Sequence, residues 1–272
     1  MRKWRFFSKE KEKEIRYILS IDGGGMRGLI PAHIIGKLAA ELKDKGDSRP
    51  LYSHFDLIAG TSTGALIALG LTTPGERLGG VALDNEPPYN VSYSSRHGIF
   101  RRISTTDLGI LRRGADPEEI ERIYRDRGQE IFQPKSSFRT IFGPVFGEKY
   151  STACYEEYLI KTFGDAEMSE LYAPTIAISF NTQKSEPYVF SSYSDDGFLV
   201  REAARASSAA PLYFAPAKFI CRKTGDEMCL VDGGIGANNP ALIAYSEARK
   251  LYPDADEFRI LSLSTCSPKF SY

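Results

Sequence analysis

A serine framed by glycines stands between an apolar segment and a helical pattern. Residues 60–64 are Gly-Thr-Ser-Thr-Gly, which fits the G-x-S-x-G nucleophile elbow. In that turn the glycines let a strand bend sharply into a helix and lift the serine to the edge of a sheet. A serine that merely caps the helix is the alternative. Because a predicted strand precedes the motif and a helix follows it, we predict that Ser62 is a nucleophile.

A glycine-rich loop, residues 22–28, follows the first predicted strand and opens a helix. Its backbone N–H groups should converge on a negative oxygen, so the loop is predicted to be an oxyanion hole or a phosphate cradle. Gly23, Gly25 and Gly28 also fit the dinucleotide fingerprint G-x-G-x-x-G. That fingerprint needs an acidic residue at the end of the second strand, which here ends in the serine elbow. A dinucleotide site is therefore disfavoured.

Asp232 ends another predicted strand and is followed by two glycines. Its carboxylate is a candidate general base for Ser62, whereas an aspartate that only caps its turn is the alternative. The scarcity of histidine favours a role for Asp232 as the base, because no histidine lies beyond residue 97 and a Ser-His-Asp triad is therefore disfavoured. His33 falls in the first helix and His54 at the foot of the elbow strand, so both are predicted to be structural. A Ser-Asp dyad is the simplest arrangement left for acyl transfer.

The elements that must position these motifs alternate along the chain. Strands are predicted at residues 17–21, 55–59, 175–180, 187–193, 228–231 and 258–263. Helices are predicted at residues 31–45, 65–71, 117–130, 199–209 and from 240 to before 253. This alternation predicts an α/β fold with a largely parallel sheet, covered by helices on both faces and binding its ligand at the carboxyl ends of the strands.

The predicted domain organisation is a charged arm at residues 1–15 and one α/β domain at 16–272. Within that domain the regular pattern weakens at about 72–150, which predicts an irregular insertion or lid over the core. The arm has no apolar core of a secretory signal, so a cytoplasmic location is expected. The apolar stretch at 65–71 is far too short to span a membrane, and only peripheral contact with a bilayer is expected.

Charge and cysteine content exclude several classes of protein. Lys plus Arg and Asp plus Glu each number 35, so no overall field attracts a nucleic acid polymer. The four cysteines lack the spacing of a zinc site and the density of a disulfide scaffold. No cluster of His, Asp or Glu has metal-ligand spacing, so neither a metal nor a cofactor is expected.

Taken in order, these motifs resemble those of the patatin-like phospholipases, which carry a D-G-G-G-x-[RK]-G loop, a G-T-S-T-G elbow and a D-G-[GA] dyad segment. The resemblance extends to residues 206–214 and 232–240 and covers most of the chain from Tyr17 to about Ser264. Residues 262–266 depart from it, because Ser-Leu-Ser-Thr-Cys stands where family members often have Ser-Leu-Gly-Thr-Gly.

The resemblance implies a three-layer α/β/α sandwich that hydrolyses acyl esters of membrane glycerolipids. It makes Ser62 the nucleophile, Asp232 the base, and the amides of Gly24 and Gly25 the oxyanion donors. Arg27, inside the loop, either contacts a lipid phosphate or staples the loop to the core. The expected partner is a phospholipid or another acyl-ester lipid at a membrane surface. A nucleotide-binding protein that uses the loop as a phosphate cradle, a small nucleotide activator and a homo-oligomer remain open alternatives.

Overall fold

The computed structural model describes residues 13–78, 89–90, 110–111, 114–115, 117–118, 120–122, 125 and 151–266. The helices in these ranges are α1 (Leu29–Asp44), α2 (Thr63–Thr72), α3 (Thr152–Phe163), α4 (Val200–Ser207), α5 (Gly234–Ala237) and α6 (Ala241–Leu251). The strands are β1 (Ile15–Ile21), β2 (Leu57–Thr61), β3 (Tyr89–Asn90), β4 (Ile110–Leu111), β5 (Thr175–Asn181), β6 (Glu186–Ser191), β7 (Ala217–Ile220), β8 (Glu227–Asp232) and β9 (Glu257–Leu263). Among the described residues, no helix combines the length and apolarity needed to cross a bilayer.

A seven-stranded mixed sheet forms the centre of the fold. Its order is β7-β8-β5-β2-β1-β9, with β6 also paired to β5. Strands β9, β1, β2 and β5 are parallel, whereas β6 and β8 run antiparallel to β5. The predicted, mostly parallel α/β sheet is confirmed, and the two reversed strands are a departure from the simple alternation.

The strands that end at the two candidate catalytic residues meet head to head. Strand β2 is parallel to the first half of β5 and ends with Thr61 opposite Ile178. Strand β8 is antiparallel to the second half of β5 and ends with Asp232 opposite Ser179. Because β6 pairs with the other edge of β5, β2 and β8 share one edge and their carboxyl ends converge.

Apolar residues alternate between the two faces of this sheet, as its two-residue side-chain period requires. Leu19 and Ile21 of β1 belong to the larger core, together with buried residues of α1, α2, α3 and α4. Ile18 belongs to a smaller core on the opposite face, together with Ala244 and Ala248 of α6. The three-layer α/β/α sandwich is therefore confirmed.

Five of the described elements, α3, α5, β3, β4 and β7, were not predicted from the sequence pattern. The proposed arm and insertion lie mostly outside the described residues, so that division of the chain stays a prediction. From the insertion, Ala115 and Ile120 are buried in the larger core, and the N–H of Ala115 donates to the carbonyl of Gly70 at 3.0 Å. The described part of the predicted helix at 117–130, namely residues 117–118, 120–122 and 125, is helical.

Candidate active site

Ser62 occupies a strained turn between β2 and α2. Its backbone has φ 53° and ψ −120°, a left-handed φ that a non-glycine residue seldom adopts. At the flanking residues Gly60 and Gly64 the backbone comes so close to other backbone atoms that only glycine fits. A Cβ built on Gly60 would lie 2.2 Å from the carbonyl oxygen of Gly64, and one on Gly64 would lie 2.2 Å from that of Ile21. The sharp strand-to-helix turn therefore leaves no room for a side chain at either position.

The Ser62 hydroxyl donates a hydrogen bond to Asp232. Its Oγ lies 2.6 Å from Asp232 Oδ2, and the residues are only 9% and 7% exposed. The second carboxylate oxygen, Oδ1, accepts the N–H of Gly234 at 2.7 Å. The 2.6 Å between Ser62 Oγ and Asp232 Oδ2 is within the range for direct proton transfer between a nucleophile and its base.

Burial raises the pKa of the Asp232 carboxyl above its usual value, and the hydrogen bonds from Ser62 and Gly234 lower it by less. Desolvation disfavours the charged carboxylate, whereas donors to its oxygens favour it. A base with a raised pKa holds a proton more tightly once it has accepted one from the serine, which suits general-base catalysis nearer neutral pH.

The end of α4 ties the elbow to the turn that carries Asp232. Ser207 Oγ accepts the backbone N–H of Ser62 at 2.9 Å and donates to the carbonyl of Ile178. The carbonyls of Ser207 and Ala209 accept the N–H groups of Gly233 and Asp232 at 3.2 and 3.0 Å. One short segment therefore fixes both halves of the pair. Ser207 and Ala209 carry no chemical signal of their own, so the sequence pattern assigned them no such function.

The glycine loop lies beside the serine. A Cβ built on Gly23 would come within 3.3 Å of the Cβ of Ser62 and 2.6 Å of Asn238 Oδ1, so the backbone approaches both closely. The N–H of Gly23 donates to the carbonyl of Asn238 at 3.0 Å. In the part of the chain that the structure describes, neither the N–H of Gly24 nor that of Gly25 has a protein acceptor. These two donors are thus available to a ligand.

Residues after β9 hold the loop from its other side. Thr265 Oγ1 donates to the carbonyl of Gly23 at 2.6 Å, and Arg27 Nη1 donates to the carbonyl of Cys266 at 2.5 Å. This hydrogen bond from Arg27 agrees with the interpretation in which the residue holds the glycine loop against the rest of the fold. Since the side chain is exposed and a guanidinium has five N–H donors, the phosphate contact stays an untested alternative.

Two histidines lie where the sequence analysis expected them. His33, in α1, pairs with Glu121 through its Nδ1 at 3.2 Å. His54 precedes β2, at the opposite end of that strand from Ser62, and lies 3.9 Å from Asp47. His97 falls outside the described residues. Neither described histidine is bonded to Ser62 or Asp232.

Comparisons with known proteins agree with this arrangement of motifs. A family model described as Patatin-like phospholipase matches residues 19–245. The chain is similar to Patatin-like protein 2 of Arabidopsis thaliana, with 31% identity over 93% of this chain and 60% of that protein. It is also similar to Patatin-2-Kuras 1 of Solanum tuberosum, with 28% identity over 90% of this chain and 58% of that protein. The chain thus spans about 60% of the length of these relatives.

Among solved structures, VipD from Legionella pneumophila matches 83% of this chain and 46% of its own, with a TM-score of 0.35 and 16% identity.

Proposed function

Since this chain belongs to the patatin-like phospholipase family, we propose that it is a serine hydrolase that cleaves acyl esters of membrane glycerolipids. The observation that carries the proposal is the buried 2.6 Å hydrogen bond from Ser62 Oγ to Asp232 Oδ2. It lies beside a loop in which the N–H groups of Gly24 and Gly25 have no protein acceptor among the described residues. A strained serine bonded to a buried base is the arrangement expected of an activated nucleophile.

The proposed reaction has two halves. Ser62 Oγ attacks the acyl carbonyl while Asp232 takes the hydroxyl proton, and the N–H groups of Gly24 and Gly25 stabilise the oxyanion. Collapse of this intermediate breaks the ester bond, and the departing alcohol takes the proton from Asp232. Water then attacks the acyl-enzyme, with Asp232 again as base, and releases the fatty acid and the free serine.

A lipid substrate is supported by exposed apolar side chains in or next to the segments that form the candidate site. Met26 lies in the glycine loop, Leu212 follows α4, and Ile235 follows Asp232, and all three are exposed. Leu212 is the most exposed, at 72%. Exposed apolar residues beside a catalytic centre suit contact with a membrane surface.

Replacing the nucleophile tests the function directly. We expect Ser62→Ala to lose more than about 10³-fold in kcat on a p-nitrophenyl ester and on phosphatidylcholine vesicles, because catalytic groups act as a unit. Fluorophosphonate labelling of the variant should disappear as well. Circular dichroism checks that the fold persists.

The matched control is Ser169→Ala, at an exposed serine whose hydroxyl donates to Glu167 at 3.1 Å. It should retain full activity and labelling. A folded Ser62→Ala protein that keeps most of its hydrolysis would refute the assignment, and an unlabelled wild-type protein that binds a nucleotide would favour the phosphate-cradle alternative.

A further inference from the structure

The segment that follows β9, residues 264–266, makes two hydrogen bonds to the glycine loop; we call it the clasp. The Thr265 hydroxyl donates to the carbonyl of Gly23, and the carbonyl of Cys266 accepts from Arg27. The loop is thus held between the clasp on one side and the elbow with Asn238 on the other.

Thr265 makes the most direct of these contacts. It is 2% exposed, and its hydroxyl proton is committed to the carbonyl of Gly23 at 2.6 Å. The loop also packs tightly on the same side chain, because a Cβ built on Gly24 would lie 2.3 Å from Thr265 Oγ1. A buried hydroxyl with one well-formed bond to a loop carbonyl fixes the direction of that carbonyl.

Fixing that carbonyl also fixes the N–H of Gly24. The peptide between Gly23 and Gly24 is planar and trans, so its C=O and N–H point in opposite directions. With the oxygen turned to Thr265, the N–H must point away from the clasp. A peptide between two glycines rotates at little steric cost, because neither residue has a Cβ, so an external contact is needed to hold it.

The neighbouring donor is held differently. The carbonyl of Gly24 accepts the N–H of Arg27 at 3.2 Å, a bond within the first turn of the following helical segment. By the same geometry this bond directs the N–H of Gly25. Of the two proposed oxyanion donors, Gly25 is therefore oriented by backbone alone, and Gly24 depends on a side chain.

We propose that Thr265 is a positioning residue that keeps the N–H of Gly24 directed at the oxyanion; this rests on the proposed hydrolase function. Loss of the hydroxyl lets the peptide between Gly23 and Gly24 turn, which removes the donor and points a carbonyl oxygen at developing negative charge. The effect falls on the transition state, since the oxyanion does not exist in the bound ester.

The test compares Thr265→Val, which keeps the shape but removes the donor, with Thr265→Ser, which keeps the donor and removes a methyl group. On p-nitrophenyl butyrate we expect the valine variant to lose about 10- to 100-fold in kcat with KM changed less than about 3-fold. The inhibition constant of an alkyl trifluoromethyl ketone, whose adduct with Ser62 carries an oxyanion, should rise by the same factor. The serine variant should stay within about 3-fold of wild type in both measurements.

Each outcome separates this inference from a packing effect. If the valine variant has wild-type kcat, or if both variants fall equally, Thr265 acts by shape and the proposal is overturned. A rise in KM alone would place its effect on substrate binding and would also overturn it. If the wild type hydrolyses the ester but Ser62→Ala does so equally well, the proposed function itself has failed, whatever the Thr265 variants do.

Discussion

The carboxylate of Asp232 combines a contact with the proposed nucleophile and an energetic cost to folding. It is buried, it accepts the Ser62 hydroxyl, and its raised pKa follows mainly from desolvation. For the chemistry this is useful, because the base must be ionised to accept the serine proton yet basic enough to hold it. For stability it is unfavourable, because folding removes a charge from water.

The activity should therefore be lost in acid at a pH above the ordinary aspartate value of 3.8, as protonation of Asp232 removes the base. The pH profile of kcat/KM on a soluble ester measures this acidic limb. An acidic limb with its midpoint at or below pH 3.8 would contradict a raised pKa of Asp232.

The same shift predicts how stability depends on pH. Because the folded-state pKa of Asp232 lies above the unfolded value, the folded protein binds the proton more tightly, and stability falls as pH rises from about 3.8 through the folded pKa. We expect Asp232→Asn to be inactive yet at least as stable as wild type at pH 7, with the advantage shrinking towards pH 4. Thermal unfolding at both values measures this, and a neutral variant that is less stable at pH 7 would refute it.

At the scale of secondary-structure elements, the serine elbow depends on the contact between β1 and α2. Gly64, in the first turn of α2, touches the carbonyl of Ile21 at the end of β1. This contact brings the end of the strand that carries the glycine loop against the helix that follows the serine. The glycine loop and the serine elbow are neighbours because Gly64 has no side chain to separate the backbones of β1 and α2.

Gly64→Ala should accordingly lower the free energy of unfolding by more than about 2 kcal/mol, because the new Cβ has no space and the backbones must separate. Gly46→Ala is the matched control. Its φ is +85°, but a Cβ there meets nothing within 4 Å, so we expect a loss of only about 1 kcal/mol from backbone strain. Urea titrations compare the two, and equal losses would mean that the contact of α2 with β1 does not constrain the fold.

At the scale of the whole molecule, two exposed apolar residues, Leu212 and Ile160, lie near opposite ends of α4, and Leu212 lies at the end next to the candidate active site. Leu212 follows the end of α4 that holds the elbow. Ile160 lies near the end of α3, next to Gly164, whose carbonyl bonds to Arg201 in the first turn of α4. Both side chains are exposed, Leu212 at 72% and Ile160 at 53%, so Ile160 serves as the matched apolar position for a test of Leu212.

We expect Leu212→Asn to lower hydrolysis of phosphatidylcholine vesicles at least about 5-fold, since it removes an apolar contact with the bilayer. Asparagine tolerates the positive φ of 70° at this position better than leucine, so the fold should persist. Turnover of a soluble short-chain ester should stay within about 3-fold of wild type.

Ile160→Asn should leave both activities unchanged. Equal losses on vesicles for the two variants would exclude a specific membrane-facing region near Leu212.

The sequence alone determined the family, the α/β class and the candidate pair. Glycine positions, a serine between a strand and a helix, and the scarcity of histidine are local signals that need no knowledge of long-range contacts. It also led to the correct three-layer arrangement, because alternating strands and helices leave few ways to cover both faces of a sheet.

Only the tertiary structure decided how Ser62 and Asp232 come together. The simple argument placed both at the carboxyl edge of a parallel sheet, but β8 runs antiparallel to β5, and the pair meets because β2 and β8 converge along one edge of that strand. Strand direction depends on pairing between distant segments, which local periodicity does not encode. The contacts of Ser207 and Thr265 are likewise long-range, since hydroxyls far apart in the chain find their acceptors only when the layers pack.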